Sequence, residues 1–262
     1  MIERPGLTRR GALTVAMGGS ALAAGPASAI STITQLTNGI VPVAGKVRLI
    51  MPEVVEDGGA VPLAVAVDSA MTESDHVRSI HIVAAANPET TVAVFHLTPA
   101  SGRAAIAARI RLAESQIVLA LAEMSDGSWY SGQAPVKVAV GGCGSGAVRS
   151  ADSAAIGDPR VKVPGTVRAG EVFEIKTLLA HPIQTGRQTD LAGASLPRLI
   201  IARLTCSSAA TELFGAHLGT GVAANPYCSF HGRLERTADL VFLWSEEFGR
   251  TFTTVRTVTV IA

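Results

Sequence analysis

The feature that most constrains the fold of this chain is a long succession of short, β-prone runs bounded by turn-forming residues. From Lys46 onward, runs rich in valine, isoleucine and threonine alternate with glycine, proline, asparagine and aspartate. Runs of this length and spacing are typical of antiparallel β-sandwiches. Because only 4% of the 262 residues are aromatic, valine, isoleucine, leucine and alanine must fill the core. The sequence therefore predicts an all-β protein.

The runs form two series, one on each side of a segment without periodicity. The first series comprises residues 47–50, 61–67, 79–84, 91–96, 105–112, 117–124 and 135–140. The second comprises residues 160–163, 171–179, 198–206, 212–214, 227–234, 239–244 and 251–261. Each series suffices for one sandwich of about 100 residues. We therefore predict two tandem β-sandwich domains, at residues 30–140 and 160–262, docked through a large apolar interface.

The strand assignment can be tested most clearly on the run at residues 105–112. Apolar residues at every second position should face the core, and the intervening arginines should face solvent. The core face would then carry Ile106, Ala108, Ile110 and Leu112, and the solvent face Arg109 and Arg111. The alanine content of residues 104–108 leaves a helix open on propensity alone.

Between the two series, residues 141–159 read GGCGSGAVRSADSAAIGDP, which is small, polar and aperiodic. This composition predicts an arm and linker. Glycines surround Cys143 at four positions, Gly141, Gly142, Gly144 and Gly146. Because glycine has no side chain to pack, we expect the Cys143 thiol to be exposed on a flexible tether. A catalytic cysteine needs a fixed base beside it, so the pattern disfavours an enzyme; an incidental cysteine in a linker is the alternative.

Residues 1–29 have the pattern of an export signal. Arg9 and Arg10 precede a mildly apolar stretch at residues 11–24, and small residues stand at Ala27 and Ala29. These features predict cleavage before Ile30. The adjacent arginines are similar to the twin-arginine signal of bacterial export, so we expect a periplasmic protein. An N-terminal membrane helix is the alternative, but the stretch is short and rich in glycine and alanine.

Charge and residue spacing disfavour several other functions. Lysine and arginine number 22 against 21 acidic residues, without a basic cluster beyond the N-terminus, so we expect no nucleic-acid partner. No other long apolar stretch indicates a membrane segment. The histidines lack ligand spacing, so we expect no metal site from His81, His96, His181, His217 and His231. Asn87-Pro88 and Asn225-Pro226 are interpreted first as turns.

The other two cysteines, Cys206 and Cys228, lie in predicted strands of the second half. Buried inert thiols and a mutual disulfide are both open for them. Their spacing from each other and from Cys143 fits neither a zinc motif nor a haem-attachment motif.

Longer motifs resemble a known family. The VKV strand followed by GGCG, preceded by TVAVFHLTPASGRAAIAARIRLAESQIVLALAEMSDGSWY, resembles SoxY, the carrier subunit of thiosulfate oxidation. In the second half, RVKVPGTVRAGEVFEIKTLLAHPIQTGRQTD, RLIIARLTCSS and GVAANPYCSF resemble SoxZ, the partner subunit. Together the two resemblances cover almost all of the mature chain, which thus resembles a SoxY–SoxZ fusion.

The resemblance implies two immunoglobulin-like β-sandwiches that pair within one chain. It implies a carrier without catalytic residues or cofactor, in which Cys143 holds sulfur covalently. The implied partners are the c-type cytochrome SoxAX, the hydrolase SoxB and SoxCD-like sulfur dehydrogenases. Three alternatives are a related carrier for another periplasmic redox pathway, such as that of a quinoprotein dehydrogenase; a thiol-dependent sulfurtransferase; and a tandem sandwich that only binds a partner.

One departure from the family concerns the position of the arm. SoxY carries its cysteine at or near the free C-terminus, whereas this chain continues into a second domain. We expect an uncut loop in preference to cleavage within residues 144–158. Alanine at Gly141, Gly142 and Gly144 is expected to slow loading of Cys143 and to leave the melting temperature almost unchanged.

Overall fold

The computed structural model describes residues 27–142, 156–190, 192–209 and 211–262. In the first half, the helix and strands are α1 (Ala27–Leu36), β1 (Val43–Ala44), β2 (Val47–Ile50), β3 (Val54–Asp57), β4 (Val61–Val67), β5 (Val77–Ala84), β6 (Thr91–Leu97), β7 (Ala105–Ile110), β8 (Gln116–Met124) and β9 (Trp129–Val140). Short 3-10 helices occupy Gly58–Ala60 and Pro99–Ser101. The helix α1 was not predicted, and it begins before the expected cleavage site.

In the second half, the strands are β10 (Arg160–Lys162), β11 (Thr166–Arg168), β12 (Val172–Leu178), β13 (Gln184–Thr185), β14 (Arg198–Leu199), β15 (Ile201–Ser208), β16 (Thr211–Leu218), β17 (Tyr227–Arg233), β18 (Ala238–Glu246) and β19 (Thr251–Ile261). Every predicted run contains a strand. The sequence analysis missed β1, β3, β11 and β13, which are two to four residues long and too short to show alternation.

Two large sheets pass through both halves. The first has eleven strands among the described residues, in the order β1-β9-β8-β5-β6-β16-β15-β18-β19-β11, with β3 also paired to β9. The second has six, in the order β10-β12-β17-β7-β4-β2. Each half therefore contributes strands to both layers, as a sandwich does. The predicted fold class, two tandem immunoglobulin-like β domains, is confirmed.

The halves join where strands of different halves pair. At the long seam, β6 pairs antiparallel with β16 over five residue pairs, from Phe214↔Leu97 to Leu218↔Ala93. At the short seam, β7 pairs with β17 through Cys228↔Ala108 and Ser229↔Ala107. The predicted docking is confirmed, and it takes the form of edge-to-edge continuation of both sheets.

The apolar core is continuous between the halves as well. A single cluster of buried side chains includes residues of both, from Val61 to Val258. At its centre the ring of Phe214 on β16 lies 3.8 Å from that of Phe230 and 6.1 Å from that of Phe95, measured between centroids. Phe95 belongs to the first half and the other two to the second, so the aromatic stack crosses the long seam.

The helix α1 covers part of the outer face of the large sheet. Its Ile33 and Leu36 pack against a small apolar cluster of Val83, Leu119, Leu121 and Trp129. The contacting residues follow the expected cleavage site before Ile30. None of the helices in the described residues is long and apolar enough to cross a membrane.

The run at residues 105–112 shows where alternation stops predicting burial. Its four apolar residues are buried, and residues 104–108 contain strand rather than helix. Arg109 is exposed as expected, but Arg111 is only 2% exposed. The prediction for Arg111 was wrong because β7 ends at Ile110, so the two-residue period no longer applies beyond it.

Candidate functional site

The site begins at the last strand of the first half, which leads to the predicted carrier cysteine. Strand β9 pairs with β8 on one side and with β3 on the other, and Asp57 lies opposite Val140. The Ser115 hydroxyl accepts a hydrogen bond from the Val138 N–H at 2.9 Å. The strand is therefore held up to its final residue.

Gly141 and Gly142 continue β9, and we call this pair the arm root. The Gly142 N–H donates to the Leu112 carbonyl at 2.8 Å. A Cβ atom on Gly141 would stand 2.0 Å from the Ala113 carbonyl oxygen, and one on Gly142 would stand 2.2 Å from the Gly58 backbone. Such contacts are far closer than van der Waals packing permits. Two glycines expected to provide flexibility are thus also required for close packing.

Because Gly141 and Gly142 are packed in this way, alanine at either position is expected to lower the melting temperature, contrary to the expectation from the sequence. Gly58 is packed as closely, since a Cβ atom there would lie 2.3 Å from the Leu112 carbonyl oxygen. Cys143, Gly144 and Gly146 lie outside the described residues, so their roles in the arm remain predictions.

The loop at residues 111–113 supports the arm root and is itself held by a buried asparagine. The Asn87 side chain is 5% exposed and donates from Nδ2 to the Arg111 carbonyl at 2.8 Å. Its Oδ1 accepts from the Ala113 N–H at 2.9 Å and from Nε2 of Gln116 at 3.1 Å. Asn87 therefore does more than initiate a turn before Pro88, because it fixes the backbone against which Gly141 and Gly142 pack.

The second half also holds this loop, through the buried Arg111 side chain. Its Nη1 donates to the Ile183 carbonyl at 2.8 Å and its Nη2 to the Pro182 carbonyl at 3.3 Å. The Arg111 N–H donates to the Gly221 carbonyl at 2.6 Å. Hydrogen bonds from a charged donor are stronger than those between neutral groups. The arm root of the first half is thus tied to the second half through Arg111.

A buried histidine holds the carbonyls that receive Arg111. His181 accepts the Ile183 N–H at Nδ1 at 3.1 Å, so its ring proton resides on Nε2, which donates to Glu246 at 3.3 Å. Burial lowers the pKa of His181, which favours this neutral form. The Asn225 side chain accepts from the His181 N–H at 3.0 Å. His181 and Asn225 thus have structural roles at the short seam.

Only some of these supporting residues had a signal in the sequence. Asn87 stands before Pro88 and was interpreted as the start of a turn, whereas nothing in the sequence pointed to Gly58. Arg111 gave no signal either, because its partners are backbone carbonyls contributed by a distant part of the chain. Such contacts become visible only once the two halves are docked.

Three further histidines lie close together on the outer face of the large sheet, at the long seam. The rings of His96 and His217 are 5.1 Å apart between centroids. His81 bonds to Ser79 Oγ at 2.9 Å, and burial and nearby His96 lower the pKa of His81 to about 4. Within the described ranges, no group of three or more His, Cys, Asp or Glu side chains is arranged to hold a metal ion. His231 bonds to the Ala105 carbonyl at 3.1 Å.

The structure distinguishes the two alternatives for the remaining cysteines. Cys206 and Cys228 are both buried, free thiols. Burial raises the pKa of Cys206 to about 12, and that of Cys228 is also raised. Since the thiolate is the reactive form, these two residues are inert core side chains.

Fold and site together define a class of protein, a pair of docked immunoglobulin-like domains. The second domain holds the loop to which Gly142, the residue before Cys143, is bonded. Comparison with families of known proteins makes this more specific. The family model for "Sulfur oxidation protein SoxY" matches residues 34–143, and the model for "Sulphur oxidation protein SoxZ" matches residues 161–257. The chain belongs to the SoxYZ family, as a SoxY domain and a SoxZ domain fused in one polypeptide. It is a sulfur carrier of the sulfur-oxidation system rather than a catalyst.

Several solved structures are similar to parts of this chain. The sulfur carrier protein SoxY from Chlorobium limicola f thiosulfatophilum is 22% identical, with a TM-score of 0.37 over 42% of this chain and 91% of that chain. A putative superoxide reductase from Thermotoga maritima is 15% identical, with a TM-score of 0.32 over 40% and 86%. A marsupial T cell receptor is 10% identical, with a TM-score of 0.26 over 82% and 73%. Among curated protein sequences, none matches the chain.

Proposed function

We propose that this chain is exported to the periplasm by the twin-arginine pathway and there carries thiosulfate-derived sulfur on Cys143. The main supporting observation is that Cys143 directly follows the arm root and is the last residue matched by the SoxY family model. The residue immediately before Cys143 is therefore fixed to the folded body. Its cargo is covalent, so the carrier requires no cofactor.

Thiol chemistry supports the choice of Cys143 among the three cysteines. Cys206 and Cys228 are buried and their raised pKa values keep them protonated. A carrier thiol must form a thiolate and reach other proteins. Cys143 is the cysteine that follows the last packed residue of the first half.

The cargo chemistry has three steps. In the first, the Cys143 thiolate and thiosulfate form a sulfur–sulfur bond and lose two electrons to a c-type cytochrome such as SoxAX, which gives a cysteine S-thiosulfonate. In the second, a hydrolase such as SoxB adds water to the terminal sulfonate, which releases sulfate and two protons and leaves a persulfide. A SoxCD-like sulfur dehydrogenase would then oxidise the persulfide sulfur to a sulfonate, with three water molecules supplying the oxygens, six protons released and six electrons passed to the electron acceptor of that enzyme.

The arm root limits how far the sulfur can move. Gly142 is bonded to the Leu112 carbonyl, and the Cys143 Cα follows it by one Cα–Cα step of about 3.8 Å. Downstream, the Gly157 N–H donates to the Ala180 carbonyl at 3.0 Å. A partner with a deep active site must therefore open the Gly142 bond, at a cost of about 1 kcal/mol for one backbone hydrogen bond. An uncut loop suffices for this motion.

Peptide mass spectrometry of the protein isolated without reductant tests the proposal. The Cys143 peptide is expected to gain about 112 Da as the thiosulfonate and about 32 Da for each sulfur atom of a persulfide. They should be lost in Cys143→Ser and kept in Cys206→Ser and Cys228→Ser, which are the matched controls. An adduct on either of the other cysteines would contradict the assignment.

A further inference from the structure

A basic groove of about 360 Å³ lies on the outside of the six-stranded sheet, beside the short seam. Both halves contribute to it. The residues that the argument uses are Arg109 from β7, Arg160 and Lys162 from β10, Lys176 from β12 and Tyr227 from β17. Docking of the two halves therefore adds Arg109 to a groove whose other lining residues belong to the second half.

The charges around this groove are unbalanced. Its lining residues include four cations and no carboxylate. Lys176 is paired with Glu174 at 3.0 Å, but Glu174 also accepts the Ser229 hydroxyl at 2.7 Å. Among the described residues, neither Arg160 nor Lys162 forms an ion pair. The chain as a whole is close to neutral, so this concentration of positive charge is local.

Strand register places two of the cations against each other. Lys162 lies directly opposite Lys176 in the β10–β12 pair. Like charges at directly opposed positions destabilise a sheet, and an anion between them relieves the repulsion. Arg109 stacks on the Tyr227 ring, with its guanidinium carbon 5.4 Å from the ring centroid. The stacking orients a planar donor beside the groove.

The groove is also close to both fixed ends of the segment that carries Cys143. Arg109 precedes Leu112, the residue that holds Gly142, by three positions, which is about 10 Å along an extended chain. On the downstream side, Arg160 follows the anchored Gly157 by three positions. The described anchors on both sides of the segment, Gly142 and Gly157, are thus linked through short stretches of chain to residues of this patch of positive charge.

We propose that the groove is an oxyanion site that receives the terminal sulfonate of the group carried on Cys143. The inference rests on the proposed function. A sulfonate offers three acceptor oxygens, which arginine can bind through two parallel hydrogen bonds and lysine through point charge. A persulfide lacks these oxygens, so the groove holds the thiosulfonate form and releases the segment after hydrolysis. Free thiosulfate presents the same three acceptor oxygens, so separate experiments test its binding and the binding of the group carried on Cys143.

The first experiment uses free thiosulfate and the full mature chain with Cys143→Ser, which cannot form the adduct. Isothermal titration measures thiosulfate binding to this chain, to the same chain with Arg160→Gln and Lys162→Gln, and to a control with Arg48→Gln and Arg236→Gln. Both pairs remove two exposed positive charges. The groove pair should raise the Kd for thiosulfate by about tenfold and the control pair by less than about twofold. Equal effects of the two pairs would overturn the proposal.

The second experiment tests the carried group. Tetrathionate loads a cysteine without an enzyme, because the thiolate attacks a central sulfur and displaces thiosulfate, which leaves the S-thiosulfonate on Cys143. The rate at which a small thiol removes this group is then followed by intact mass. Removal should be about tenfold faster in the groove variant than in the wild-type chain, and unchanged in the control variant. Thiosulfate binding without any difference in adduct lifetime would overturn the assignment to the carried group.

The failure of the groove proposal and the failure of the proposed function can be told apart. If Cys143 carries no sulfur in the cell, the proposed function fails while the groove is still tested by both experiments. If Cys143 carries sulfur but the groove variant behaves as the control does, the groove proposal fails and the carrier function stands.

Discussion

The long and short seams join the same two halves with different chemistry. The long seam has five residue pairs and an aromatic stack that passes through Phe95, Phe214 and Phe230. The short seam has two residue pairs, and beside it lie the buried Arg111 bonds and the basic groove. The comparison indicates a division of roles. The long seam supplies most of the apolar packing that holds the halves together, whereas the polar groups beside the short seam hold the arm root and form the proposed site for the cargo.

The largest effect should come from weakening the long seam. Phe214→Ala removes the ring that links both halves at the centre of the core, and should lower the free energy of unfolding by about 4 kcal/mol. Phe248, which is 74% exposed, provides the control, since Phe248→Ala should change the free energy of unfolding by less than about 0.5 kcal/mol. Urea unfolding followed by tryptophan fluorescence measures both. A small effect of Phe214→Ala would mean that the long seam does not supply the cohesion.

An intermediate effect is expected at the arm root, beside the short seam. Gly142→Ala places a methyl group within 2.2 Å of the Gly58 backbone, so the chain must shift, at a cost of about 2 kcal/mol. Gly165→Ala is the matched control, because its added Cβ atom meets nothing within 4 Å. Thermal unfolding should separate the two variants clearly. Equal melting temperatures would show that the root is as loose as its glycine content suggested.

The smallest effect is a pH dependence at His81, on β5 beside the long seam. The pKa of His81 is lowered to about 4 by burial and by nearby His96, so native His81 stays neutral while the unfolded chain takes up a proton below its ordinary pKa of 6.5. Acid therefore favours the unfolded state, and stability is lost as the pH falls from 6.5 toward 4. Between about pH 7 and about pH 5.5, we expect His81 to account for a loss of roughly 1 kcal/mol.

Comparison of His81→Gln with the wild-type chain measures this dependence. The variant should flatten the decline in urea stability with falling pH. A decline of the same slope in the variant and in the wild-type chain would exclude His81 as its source.

The sequence predicted the strands well and the site only in part, for physical reasons. Alternation and turn residues are local, so each predicted run contained a strand. Close packing and flexibility both select glycine, so Gly141 and Gly142 could not be told from a loose tether without the neighbouring Gly58 backbone. The sequence pattern placed Arg111 on the solvent side of β7. That prediction failed because the carbonyls that bind the buried side chain come from the other half.

The central claim is that the second half holds the point from which the Cys143 segment leaves the first. Amide hydrogen exchange at Gly142 tests it most directly, because this N–H is bonded to the Leu112 carbonyl, next to Arg111. In the wild-type chain the Gly142 amide should exchange at least about tenfold more slowly than an unstructured amide, and Arg111→Met should remove most of that protection. Arg111→Met should leave the protection of the β16 amides unchanged, and the control Arg48→Met should leave the protection of Gly142 unchanged. An unprotected Gly142 amide in the wild-type chain, or equal protection in Arg111→Met, would contradict the claim.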